Sequence, residues 1–132
     1  YNGTLKVTGA AGDGVGSGII NTAIIVASQM ADNTSGNFAA KACANYSYKV
    51  NGVTYGGWYL PSQYEWLLIY KNISIINNQL IANGGTALGI GIHWTSTEYS
   101  LDSNQAYVIF DSGATGIFTK DNTFYVRAVR AF

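Results

Sequence analysis

Acid–base or nucleophilic chemistry in this sequence would fall to His93, Cys43, Glu65 and Glu98. Two carboxylates can divide the acid and base roles across a scissile bond, so Glu65 and Glu98 come first. Their contexts point elsewhere. Ser62 and Glu65 form an S-x-x-E capping box, in which the serine oxygen accepts from the Glu65 amide and the Glu65 carboxylate reaches back to the Ser62 amide. Glu98 closes the run His93-Trp94-Thr95-Ser96-Thr97-Glu98. It reads as partner to Arg130 or Arg127, a bidentate pair that would lock the C-terminus. His93, the only histidine, precedes Trp94 in a strand and reads as structural. Cys43 is alone, so it forms no intramolecular disulfide and no cysteine metal cage; its bland role is that of a small buried hydrophobe. No catalytic residue, cofactor or metal site is expected.

Binding chemistry is the other possibility. Capture of a sulfate or carboxylate needs cations, and the chain offers Lys6, Lys41, Lys49, Lys71 and Lys120 with Arg127 and Arg130. They form no run. Of these, Lys41, Lys49, Lys71, Lys120 and Arg127 are the candidate ligand contacts, against the ordinary role of scattered solubilising charges. Three copies of such a chain could line one surface and hold a long polyanion with an avidity gain of roughly a hundredfold or more. Tyr46, Tyr48, Tyr55 and Tyr99 could stack on sugar faces or pack in an interface between copies.

These residues must be positioned by the stretch from Gly56 to Trp66, which holds the only proline and two of the three tryptophans. Trp58-Tyr59-Leu60 reads as a short buried strand. Pro61 stops a sheet ladder and holds Leu60 extended. The capping box then starts a helix over 63–71, with Trp66, Ile69, Tyr70 and Ile73 on one buried face and Lys71 in its last turn. Trp58, Pro61, Ser62, Glu65, Trp94, Glu98 and Arg130 are therefore assigned structural roles.

Elsewhere, 4–8 is a candidate strand and the glycines at 9, 12, 14, 16 and 18 read as a flexible or tightly turned loop. Neither phosphate-binding glycine pattern is present. Asn21 or Thr22 can cap a helix running to Met30 or Ala31. The small residues of 38–46 suggest a short, closely packed helix, and Asn51-Gly52 between valines a hairpin. A short helix is expected over 76–82 and a strand over 92–98. Strands over 105–110, 115–120 and 124–132, joined by tight turns, would make an antiparallel meander.

The length of 132 residues suits one domain, and only 11% are charged against about 25% in an average soluble domain. Asn, Ser, Thr, Gly and Tyr must supply the polar surface, a composition common in exported proteins. Seven acidic residues balance seven basic ones, so charge gives no pull toward nucleic acid or membrane. No apolar run reaches the ~18 residues of a membrane span. The chain opens on tyrosine rather than methionine and reads as a piece of a longer protein, with 1–18 as a candidate flexible lead-in.

Several patches fall in a recognisable order: Asn21-Thr22, Ala39-Ala40-x-x-Cys43, Gly57-Trp58-Tyr59-Leu60-Pro61-Ser62-x-x-Glu65, His93 to Glu98, Ala106 to Gly113, Lys120, and Val126-Arg127-Ala128-Val129-Arg130-Ala131-Phe132. Over nearly all of 19–132 the chain resembles the bacterial domain family named after the C-terminal domain of the Legionella collagen-like adhesin. The resemblance implies an α+β, C-type-lectin-like fold, two main helices flanking a twisted antiparallel sheet. It also implies a secreted or cell-surface location, a homotrimer, and binding of sulfated polysaccharide of the glycosaminoglycan class. The alternative is a structural trimerisation or capping domain without its own ligand site. The E-P-N, Q-P-D and W-N-D motifs of calcium-dependent lectins are absent: Leu60-Pro61-Ser62 and Trp94-Thr95-Ser96 stand there. One cysteine also cannot supply the pair that formylglycine-generating enzymes of related fold require.

Overall fold

A computed structural model describes residues 2–3, 5–102 and 104–132. It is a mixed α+β fold. In chain order it has helices α1 (Ser17–Met30) and α2 (Ala39–Ala44), strands β1 (Tyr48–Val50), β2 (Val53–Tyr55) and β3 (Trp58–Tyr59), helices α3 (Gln63–Lys71) and α4 (Ile73–Ala82), then β4 (His93–Glu98), β5 (Gln105–Ile109), β6 (Thr115–Thr119) and β7 (Val129–Arg130). The antiparallel sheets are β4-β5-β6, the hairpin β1-β2 and the short pair β3-β7.

The capping box forms as its spacing requires. Ser62 Oγ accepts from Glu65 N at 3.2 Å and the Glu65 carboxylate accepts from Ser62 N at 2.8 Å. Trp66 is wholly buried on the inner face of α3. The Asn51-Gly52 turn carries φ 49° and 80°, the left-handed pair a two-residue primed turn demands.

The core gathers Phe38, Ala40, Cys43, Leu60, Trp94, Ala106 and Val108. All six residues of β4 are buried, although four of them are Thr, Ser, Thr and Glu. Each polar side chain is accounted for, as burial demands. Thr95 Oγ1 donates to Tyr107 O at 2.8 Å, Thr97 Oγ1 accepts from Gln63 N at 3.0 Å, and Ser96 Oγ accepts from Asn21 Nδ2 at 3.4 Å. One edge of β4 pairs with β5. The other is met by backbone from separate segments: Trp94 N donates to Tyr125 O, Ser96 N to Pro61 O and Glu98 N to Ala10 O. Among the described residues no strand closes that edge, but the donors of Trp94, Ser96 and Glu98 are satisfied.

Several expectations are corrected. The strand expected over 124–132 shrinks to β7, which joins β3 rather than continuing the meander; Phe124 turns its ring into the core, 5.1 Å from both Trp94 and Phe118. Asn21 and Thr22 do not cap α1. Its N-cap is Gly16, without a side-chain hydrogen bond. Asn21 instead clasps Gly12 through both its backbone polar groups, and Thr22 Oγ1 accepts from Leu60 N at 3.0 Å. Residues 5–8 hold no regular strand, and Thr4 lies outside the described residues. The helix expected over 76–82 begins three residues earlier. Of the loop at 101–104, Ser103 is outside the described residues.

Gly18 is a helical residue that admits the approach of α1 to the capping corner. A Cβ there would lie 2.3 Å from Glu65 Oε2, 2.8 Å from Leu60 O and 2.8 Å from Tyr59 Cδ2. Alanine ordinarily gains about 0.5–1 kcal/mol over glycine inside a helix. Overpacking costs about 1–3 kcal/mol, and here backbone as well as side chain must yield. Gly18→Ala is therefore expected to destabilise the domain by roughly 1–2 kcal/mol in urea denaturation; stability equal to or above the parent would refute the close packing.

Candidate functional site

The described residues place the candidate cations in different surroundings. Lys41 Nζ donates to Thr34 O and Gly36 O, each at 2.8 Å, and so closes the turn after α1. Lys120 turns inward. Its ammonium pairs with Glu98 and donates to Lys6 O at 2.9 Å. Glu98 thus pairs with Lys120, not with Arg130 or Arg127, and its carboxylate also accepts from Thr8 N and Gly9 N at 2.9 and 2.8 Å. The reason is topological: β6 neighbours β5 in the sheet and brings Lys120 beside the end of β4, whereas the C-terminal segment runs to β3. Lys71 is exposed at the end of α3, whose packing partners are β4, β5 and α4.

Lys6 pairs with Asp32 at 2.8 Å, while Arg130 and Arg127 lie beside aromatic rings. Tyr48 and Tyr55 are directly paired across the β1-β2 hairpin and therefore share a face. Arg130 places its guanidinium carbon 5.2 Å from the Tyr55 ring centre and 5.6 Å from that of Phe132. Trp58, paired with Arg130 across β3-β7, donates its indole N–H to Tyr55 O at 3.1 Å and meets Tyr46 edge-to-face at 5.2 Å. Arg127 lines a shallow depression with Tyr46 and Trp58. Lys49 sits on the same hairpin, opposite Thr54, and alternation points it to the face away from Tyr48 and Tyr55.

This surface holds Arg127 and Arg130, and among the described residues neither is ion-paired with a carboxylate. The sequence reading makes Arg130 or Arg127 the bidentate partner of Glu98. The stacking of Arg130 was missed because it depends on β7 meeting β3, which brings position 130 beside a hairpin more than 70 positions away in sequence. A guanidinium beside aromatic rings can still offer its N–H groups to an oxyanion.

The groups that could do covalent chemistry are engaged structurally. Glu65 accepts from Ser62 N, from Gly16 N at 2.9 Å and from the Tyr59 hydroxyl at 3.3 Å. One carboxylate thereby serves the N-termini of both α3 and α1, where negative charge is favourable. Burial, and then Glu65, push the Tyr59 phenol up to about 12. Cys43 is buried, and burial pushes its thiol up to about 12, far from the thiolate a nucleophile needs. Of the segment read as a flexible lead-in, Thr8, Gly9, Gly12 and Gly16 are bonded as above, and Asp13 Oδ1 accepts from Tyr64 N at 2.7 Å. Among the described residues no helix is long and apolar enough to cross a membrane.

Comparison with family models, with curated proteins and with solved structures finds no match to this chain.

Proposed function

We propose that this domain is an extracellular adhesin-type binding module for sulfated or acidic polysaccharide, with a C-type-lectin-like fold and a homotrimeric assembly. The observation that carries the reading is the surface where Arg130 and Arg127, neither paired with a carboxylate among the described residues, lie among Tyr46, Tyr48, Tyr55, Trp58 and Phe132. Sulfated sugars offer what this combination recognises: oxyanions for the guanidinium edges and C–H faces for aromatic rings. The order of the W-Y-L-P-S-x-x-E, W-T-S-T-E and V-R-A-V-R motifs supports the fold and the assembly. The engagement of Glu65, Glu98 and Cys43 favours binding over catalysis. Of the cations first considered, Arg127 stays in the proposed site and Arg130 joins it, while Lys49 lies on the other face of the β1-β2 hairpin. Lys41 and Lys120 have structural partners, and Lys71 lies on another element.

A second reading, a trimerisation or capping domain without a ligand site, rests on the exposed apolar residues Val15, Ile19 and Ile20 around the start of α1. Heparin chromatography with light scattering separates the two. The binding module should be a trimer retained on heparin and eluted earlier as salt is raised. Arg130→Ala, which removes one charge-assisted contact of roughly 1.5–3 kcal/mol, should weaken heparin affinity about tenfold or more without moving the melting temperature by more than a few degrees. A trimer that passes through heparin at low salt would leave the second reading. A monomer that does so would sink both.

A further inference from the structure

Behind the sheet lies a second feature, unrelated to the polysaccharide surface. A cavity of about 250 Å³ is walled by Phe38, Leu60, Trp94 and Phe124, with Gln29 and the Glu98–Lys120 pair among its polar lining. Gln29 is 2% exposed, in the last turn of α1, and its side-chain Oε1 has no hydrogen-bond partner among the described residues. Its backbone carbonyl is well served, accepting from Asn2 Nδ2 at 2.9 Å and from Asp32 N at 3.2 Å. The side chain is thus the one left with an open acceptor. A buried acceptor without a donor costs about 1–3 kcal/mol, and the other buried polar side chains of the core, those of β4 included, are all satisfied.

We infer that this cavity is a binding site for a small, uncharged, flat molecule carrying one N–H or O–H donor, which Gln29 Oε1 accepts while the aromatic walls cover the apolar body. Three features set the ligand class. The volume lies below the roughly 300–1,000 Å³ of sites for drug-sized molecules, so the ligand is a compact ring system. Of the lining charges, Glu98 and Lys120 neutralise each other and Asp121 is solvent-exposed, so the buried part of the lining offers no excess charge to an ion. The walls bring Trp94 and Phe124 together, 5.1 Å between ring centres, a surface suited to another ring. A polyanion chain meets none of these conditions, so the inference does not depend on the adhesin reading.

The test uses indole and 1-benzothiophene, similar bicyclic rings of which only indole carries a donor. Both are titrated into the whole chain and followed by NMR through the Gln29 side-chain amide and the Trp94 indole N–H. Indole should shift both signals and bind at least tenfold more tightly than benzothiophene, because a site built around a hydrogen bond discriminates against the analogue that lacks it. In Gln29→Leu the two affinities should converge, and in folded Gln29→Met they should converge as well. If neither probe moves the Gln29 and Trp94 signals, water alone serves the acceptor and the inference falls. Equal affinity of the two probes for the parent chain would also overturn it, since Gln29 would then play no part in recognition. The parent-chain comparison stands whether or not either variant folds.

Discussion

Replacing Glu98 with alanine is expected to destabilise the domain by about 3–5 kcal/mol, the range for breaking a buried ion pair from one side. Glu98 is 6% exposed, and the side chain of Lys120 is 12% exposed. The substitution leaves the Lys120 ammonium with its charge uncompensated away from water and strips the acceptor from Thr8 N and Gly9 N. Those amides are how the N-terminal segment is tied across the end of β4, so the loss is not confined to one pair. At about 3–4 °C per kcal/mol for a domain of this size, the melting temperature should fall by roughly 10–20 °C. Glu98→Gln keeps an oxygen for the amides and should fall between the parent and Glu98→Ala. Lys120→Met, which leaves the carboxylate its two backbone donors, should cost less than Glu98→Ala, and the double variant less than the sum of the two, since both changes break one interaction. Urea denaturation of the four chains decides it. A loss below 1 kcal/mol for Glu98→Ala, or strict additivity in the cycle, would mean that the pair does not hold the segment.

That Glu98 would serve structure was legible; its partner was not. The W-T-S-T-E run announces an ion-paired carboxylate near a sheet end, but which cation reaches it depends on strand order. The meander reading put the C-terminal arginines there. The structure sends that segment to β3 and leaves position 120, at the end of β6, beside the carboxylate. Local signals fared differently. The S-x-x-E corner, the Asn51-Gly52 hairpin and the small-residue helix α2 each carry their cause within a few residues, and each forms. Asn21 and Thr22 mark the boundary between the two cases. Their side chains suit a cap, yet both are buried and spent on tertiary bonds to Gly12 and Leu60, 9 and 38 positions away. The candidate site shares this limit. Its tyrosines stood out as sugar-stacking candidates, but Arg130 belongs with them only because β3 and β7 pair. Gln29, one of several polar residues of α1, gives no sequence signal that its acceptor is left open.

Trp66→Ala should be comparably severe, about 3–5 kcal/mol for an aromatic removed from a core. Trp66 is wholly buried, and its indole N–H donates to Trp94 O at 3.1 Å. Its ring stands 5.0 Å from that of His93, which in turn lies 5.6 Å from Tyr125. This neighbour gives the variant a second signature. Burial lowers the His93 pKa from its ordinary 6.5, and Arg127 lowers it further, against the opposing hydrogen bond to Gly91 O. A lowered pKa means the folded chain binds the proton less readily than the unfolded one, so stability is lost as pH falls from about 6.5 toward the folded value. His93 is the only histidine, so the slope of stability against pH near 6 reports mainly on it. In Trp66→Ala water reaches the imidazole, the lowering shrinks and the slope should flatten. Trp66→Phe keeps a ring against His93 but leaves Trp94 O without its donor. It should cost less in stability and preserve most of the slope. If Trp66→Ala retained the parent's full slope, the burial of His93 would owe nothing to this ring, and the aromatic stack between α3 and β4 would be packing without electrostatic consequence.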